Sequence, residues 1–170
     1  LNTVYGWIQG RALEALVGHA QWLRTFEPER QDQQLIADID RIIEELSGQL
    51  FSVWTQNGGH VFFSMTPDGK PFVLDAEGNR QFIVLSETSP YNISDLFMGK
   101  GMYAAAWYLN QQTRFRQARQ YCLATANALF QGTYVFDQAS LDPGNKVESV
   151  PHRHSHFMIE IGTAALMAEY

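Results

Sequence analysis

The sequence is poor in the features that build disulfide scaffolds, nucleic-acid binders and membrane spans. It holds one cysteine, Cys122, in 170 residues, so no internal disulfide can form and nothing favours a disulfide-built secreted scaffold. Basic residues are outnumbered, 12 Lys+Arg against 18 Asp+Glu, for a formal net charge of −6. Binding to a phosphate backbone requires clustered Lys and Arg to replace counterions, so no nucleic-acid partner is expected. No apolar run approaches the roughly 18 residues that cross a bilayer, and no membrane partner is expected either. There is no P-loop, no Gly-x-Gly-x-x-Gly, no His-Glu-x-x-His and no Gly-x-Ser-x-Gly, which removes the commonest phosphate, dinucleotide, zinc-protease and serine-hydrolase signatures. No linker rich in Gly, Ser or Pro divides the chain, so residues 1–170 read as a single domain. The composition, 45% apolar and 13% aromatic, is enough for a real core and is far from that of a disordered chain. A soluble, cytoplasmic domain is expected.

Helical periodicity dominates. Leu13, Leu16, Val17, Ala20 and Leu23 mark a first helix from about Arg11 to Phe26. Leu35, Ile36, Ile39, Ile42, Ile43, Leu46, Leu50 and Val53 mark a second from about Gln31 to Trp54, with a charged opposite face. Asn57-Gly58-Gly59 ends it, and three short strands are expected over 60–65, 71–74 and 81–85, joined by the turns Thr66-Pro-Asp-Gly69 and Ala76-Glu-Gly-Asn79. Strands this short form no core alone, so they must lie against helices. Ser94 or Asp95 is positioned to cap a third helix reaching Asn110, and a fourth runs from about Thr113 to Phe130 before Gly132. Residues 133–151 read as a long loop, and a fifth helix begins near Arg153. The expected architecture is mainly α, with antiparallel helical pairs and a small β-hairpin or meander excursion. A first residue that is not Met and an apolar helical run with no terminator at Tyr170 lead to the expectation of a piece of a longer protein. Its uncovered helix faces would favour self-association as a homo-oligomer.

Several residues are placed to carry chemistry. His152, His154 and His156 alternate where the loop enters the fifth helix. In extended chain they would share one side, which suits a metal; equally they are polar residues gathered at a helix start, or imidazoles facing a pocket as proton carriers or hydrogen-bond donors. Arg11, between Trp7 and Leu13, needs either solvent or an anionic partner, which would be Glu14 one turn on or negative charge developing on a substrate oxygen. Lys100 lies between Gly99 and Gly101 in an apolar helix. Two glycines cost that helix about 1 kcal/mol each relative to Ala, so close packing or ligand approach must compensate. Trp7, Trp54, Tyr103, Trp107 and Tyr108 are candidates for a sugar-stacking surface or for core. Cys122 falls on an apolar helix face and reads as inert core. His60 and His19 receive no role. A hydrolase would need paired carboxylates, for which Asp95 and Glu87 are the nearby candidates.

Three segments in order, Trp7-Ile-Gln-Gly-Arg-Ala-Leu-Glu14, Ser94-Asp-Leu-Phe-Met-Gly-Lys-Gly-Met-Tyr-Ala-Ala-Ala106 and His154-Ser-His-Phe-Met-Ile-Glu160, resemble the N-acylglucosamine 2-epimerase family, which includes cellobiose 2-epimerases and mannose-type aldose–ketose isomerases. The resemblance covers nearly all of this chain and about the first half of a family member. It implies an (α/α)6 toroid, of which this chain would be the N-terminal half, with a sugar in the central cavity. It implies ring opening, removal of the proton α to the carbonyl by a histidine, a cis-enediolate, and return of the proton at C2 or C1. General acid–base chemistry of this kind requires no metal and no other cofactor. The match places Arg11 beside the carbonyl oxygen and His156 against the substrate, as the catalytic candidates; Trp7, Lys100, Tyr103, His154 and Glu160 are the substrate-binding candidates. Phe97 stands where many members carry Tyr, and Glu160 lies one residue further from His156 than in the family motif. The two histidines that exchange the proton belong to the second half of the family fold. The rival expectation is a catalytically inactive toroid that binds carbohydrate or protein.

Overall fold

The computed structural model describes residues 2–26, 32–86, 89–136 and 154–170. Its elements in order are β1 (Val4–Tyr5), α1 (Gly6–Phe26), α2 (Gln33–Gln56), β2 (Ser64–Met65), β3 (Phe72–Leu74), β4 (Arg80–Phe82), α3 (Ile93–Tyr108), α4 (Gln112–Gln131) and α5 (His154–Glu169). The protein is mainly helical, with small antiparallel ladders. Among the described residues no helix is long and apolar enough to cross a membrane.

The core is built around α3. Twelve of its sixteen residues are buried, as its nearly continuous apolar and small-residue composition demands. Its contacts set the direction of every neighbour. Along α1, Trp7 meets Phe97, Glu14 meets Lys100 and Arg24 lies over Tyr108, so α1 and α3 run parallel. Along α5, Gly162 lies against Lys100 and Tyr170 stacks on Trp107, so α5 runs the same way. By contrast, Gly99 packs on Cys122 and Tyr103 on Phe115, which makes α4 antiparallel to α3. Arg114 over Phe51 and Trp54 against Tyr121 make α2 parallel to α4. Helices α1, α3 and α5 thus share one direction, and α2 and α4 the opposite one.

The two glycines that flank Lys100 are explained by packing on both sides. A side chain on Gly101 would collide with the Gly10 carbonyl of α1, and one on Gly99 would lie 3.1 Å from Cys122 Sγ of α4. Successive residues of a helix point about 100° apart, so Gly99 faces α4, Gly101 faces α1, and Lys100 is left pointing between α1 and α5.

Several local expectations are corrected. The first helix begins at Gly6, not near Arg11, which brings Trp7 and Arg11 onto its first turns. The strand expected over 60–65 is reduced to Ser64–Met65, which pairs with the unanticipated β1. The remaining hairpin pairs Phe72 with Phe82 and is joined to β2 by a single bridge, Met65 to Pro71, so of the hairpin or meander expected here the structure shows the β3–β4 hairpin. The cap of α3 is Asn92, whose side chain accepts from the Asp95 amide at 3.0 Å; neither Ser94 nor Asp95 occupies that position. Asp95 completes the capping box by accepting from the Asn92 amide at 2.9 Å. Gly132 does end α4, in the left-handed conformation with φ 67°. Of the loop expected over 133–151, residues 137 onward lie outside the described residues.

Candidate functional site

Over α3, the walls formed by α1 and α5 enclose a cleft of about 560 Å³, a volume typical of small-molecule sites. Trp7, Arg11 and Glu14 of α1 line one wall at helical spacing, and Ile93, Phe97 and Lys100 of α3 form the floor. The other wall is formed by Ser155, His156, Met158 and Ile159 of α5, with Phe136 closing the end. The guanidinium near one terminus and the imidazole near the other therefore meet at one cavity.

The charges in the cleft are distributed unevenly. Lys100 Nζ lies 2.7 Å from Glu14 Oε1, so the carboxylate that stood as the structural partner of Arg11 is taken by the lysine. Arg11 itself is exposed, its guanidinium carbon 5.8 Å from the Phe97 ring centroid, and among the described residues no carboxylate pairs with it. An exposed guanidinium at the mouth of a cleft, with no carboxylate partner among the described residues, can donate to a ligand oxygen that carries or develops negative charge. The Trp7 indole packs edge-on against Phe63 at 5.4 Å and Phe97 at 5.3 Å. Its buried N–H has no hydrogen-bond partner among the described residues.

His156 is the most firmly held group of the site. It is buried, Tyr134 Oη lies 2.7 Å from its Nδ1, and the Phe136 ring stacks on the imidazole at 5.6 Å. Tyr134 and Phe136 were not among the candidates read from the sequence. The signal available was their alternation across Val135, which places both side chains on one side of an extended segment.

Other candidates lie elsewhere. Tyr103 is buried against Phe115, with ring centroids 4.6 Å apart, and it does not reach the cleft. His154 is exposed on the first turn of α5, outside the lining. Glu160 is half-buried towards α4; burial raises its carboxyl pKa, and its charge contributes to raising that of Cys122. The extended period-two arrangement does not apply to His154 and His156, because both belong to a helix, where residues two apart diverge by about 200°; His152 lies outside the described residues. Among the described residues no cluster of three or more His, Cys, Asp or Glu could hold a metal. The aromatic set is dispersed: Trp54 packs on Phe51 and Tyr121, Trp107 on Tyr170, and Tyr108 donates to Asp40 at 2.5 Å, so Trp7 alone of that set lines the cleft. Burial pushes the Cys122 thiol up to about 12, leaving it an inert packing group.

Asp95 is withdrawn from any hydrolytic pair. It is fully buried and accepts from the Val61 amide at 2.8 Å, from the Asn92 amide and from the Tyr121 hydroxyl; His60 Nδ1 lies 3.1 Å away. Glu87 lies outside the described residues. His60, given no role from sequence, thus helps tie the segment before β2 to α3. No protein-family model, no curated protein and no solved structure matches the chain.

Proposed function

We propose that the cleft binds a ring-opened reducing sugar and that the protein is a cytoplasmic carbohydrate 2-epimerase or aldose–ketose isomerase working through a cis-enediolate. The observation that carries this reading is the shared cleft of Arg11, which lacks a carboxylate partner among the described residues, and His156, which is clamped by aromatic rings. Arg11 donates to the carbonyl oxygen as it becomes an enediolate oxygen, where a preorganised donor is worth most. His156 hydrogen-bonds the same substrate, Trp7 supplies an apolar wall, and Lys100 addresses sugar hydroxyls from the floor. The common direction of α1, α3 and α5, with α2 and α4 opposed, supports an arc of an α/α toroid in which these three helices face the hollow. In this reading the two proton-exchanging histidines are supplied by sequence beyond these 170 residues, and no metal or other cofactor takes part.

A binding module is the second reading. It is favoured by the presence of one imidazole, His156, in the cleft lining among the described residues, since removal and return of a proton on opposite faces requires two groups. One experiment separates them. The full-length protein is incubated with mannose, glucose, N-acetylmannosamine and cellobiose in deuterated water, and loss of the C2 proton is followed by NMR. Exchange with any of these sugars supports the enzyme. Binding without exchange supports the module, and neither exchange nor binding sinks both.

A further inference from the structure

We infer that the protein carries a second binding site, on the α2–α4 side of α3, which takes a neutral oligosaccharide on an aromatic bed flanked by two glutamine side chains. The site shares no lining residue with the cleft, and it does not rest on the sugar reading above.

Three rings from distant parts of the chain form the bed. Trp54 stands in the last turn of α2, Tyr91 precedes the α3 cap, and Tyr121 lies midway along α4. Ring centroids are 5.4 Å apart for Trp54 and Tyr121 and 6.3 Å for Tyr121 and Tyr91. Tyr121 is buried and its hydroxyl donates to Asp95, the carboxylate that completes the α3 capping box, so its ring is anchored. His60 holds Tyr91 from the other side, at 5.0 Å. Rings already fixed lose little freedom when a ligand settles on them. Beyond α2 the chain turns through Gly58 and Gly59, both at positive φ. A side chain on Gly59 would begin 3.9 Å from the Trp54 indole; the glycine leaves that part of the ring uncovered.

The bed lies in a concavity of about 560 Å³, as large as the cleft. No Asp, Glu, Lys, Arg or His lines it, so nothing there selects a charged ligand. Gln117 and Gln120 line it with exposed side chains three residues apart on α4, and among the described residues neither amide is engaged in a hydrogen bond. A carboxamide offers both an acceptor and donors, and a sugar hydroxyl uses both. A pyranose laid with its C–H face on the rings therefore presents its hydroxyls to the two amides. A proline-rich peptide also favours aromatic beds. Its carbonyls only accept, however, and the Trp54 Nε1–H that would serve them is buried.

The site is longer than one sugar unit. A further concavity of about 460 Å³ shares Thr55 and Gln117 with it and runs on between α2 and α4 past Ser52 to Arg114, whose guanidinium is laid over Phe51. A ligand that fills both is a chain of sugars.

The test titrates cellotetraose, maltotetraose and chitotetraose, each to millimolar concentration, into the full-length protein and follows the indole N–H resonances. Tetragalacturonate is the anionic control and a polyproline peptide the second control. The Trp54 resonance is identified by its loss in Trp54→Phe. The expected result is a shift of that resonance with at least one neutral tetrasaccharide and with neither control. Joint replacement Gln117→Ala and Gln120→Ala, which removes two exposed side chains, should weaken that binding about tenfold, as for two lost hydrogen bonds, with the helical circular dichroism unchanged. Arg11→Ala should leave the titration as in the wild type. No Trp54 shift with any neutral tetrasaccharide overturns the inference, as does an equal response to either control, undiminished binding by the double variant, or loss of the shift in Arg11→Ala. If no sugar exchanges its C2 proton, the cleft reading falls while the Trp54 titration stands.

Discussion

Lys100 Nζ of α3 lies 2.7 Å from Glu14 Oε1 of α1, and the same ammonium rests against the Gly162 backbone of α5, 2.9 Å from where a side chain would begin. The pair therefore spans all three helices of the cleft, and it occupies the carboxylate that would otherwise neutralise Arg11. The positive charge available to a ligand is set by which of two cations Glu14 reaches. Lys100, on the buried floor, is the nearer one.

Arg11 and Lys100 should consequently behave differently when removed. Arg11→Ala takes away an exposed side chain with no ion pair among the described residues, so the unfolding free energy from urea titration should change by no more than about 0.5 kcal/mol. Sugar-proton exchange by the full-length protein should fall by about a hundredfold or more, as for loss of an oxyanion donor. Lys100→Met leaves Glu14 without its partner and should cost about 1 kcal/mol of stability. Equal destabilisation by the two would contradict this division.

The glycines offer a sharper contrast. Gly101→Ala drives a methyl into the Gly10 carbonyl at the α1–α3 contact, where backbone cannot yield cheaply, and should destabilise by about 3 kcal/mol or more. Gly18, also helical but with open space where its side chain would stand, should tolerate Ala and gain about 0.5–1 kcal/mol. Chemical denaturation of the two single variants measures both.

Glu160 supplies a pH dependence of known sign. Burial raises its carboxyl pKa above the ordinary value, so the folded state holds the proton more tightly than the unfolded state does. Its contribution to stability is fully present below the unfolded pKa, near 4.5, and is lost as the pH rises through the folded value. Glu160→Gln, which keeps the neutral form at every pH, should match the wild type at low pH and become the more stable protein as the pH approaches neutrality. Urea midpoints across that range test it, and a constant difference would remove the titration argument.

Asp95 should be intolerant even of its isostere. Each of its oxygens accepts a backbone amide, from Val61 and from Asn92, and the Tyr121 hydroxyl also donates to it. An Asn amide group in that place would turn N–H donors against N–H donors in a fully buried site. Asp95→Asn is expected to destabilise by about 3 kcal/mol or more, visible as a lower thermal midpoint with the helical circular dichroism retained in the cold.

Much of the helical content was legible in the residues, because helix formation is local. Leu35 to Val53 repeat every three to four positions, and α2 follows them; Gly132 stops α4 where its left-handed φ is needed. The failures are equally physical. β1 is two residues long and is paired only through residues about sixty positions away, so no local pattern announces it. The α3 cap was misplaced because Ser94 and Asp95 are good capping types, whereas the bond that selects Asn92 depends on backbone geometry across three residues.

The candidate site divides in the same way. The Trp7, Arg11 and Glu14 spacing and the place of His156 on α5 are consequences of helical periodicity, and by itself the amino-acid order determined which side chains share a helix face. Which face meets which was decided by packing between distant segments. The Gly10–Gly101 contact sets α1 close upon α3, Lys100 takes Glu14 from Arg11, and the Tyr91–Val135 bond brings Tyr134 to His156. Tyr103 of α3 and Glu160 of α5 point away from the cleft because each of these helices must also pack against α4. Rotation of a helix about its axis is settled by the sum of its neighbours, a quantity that no short stretch of sequence contains.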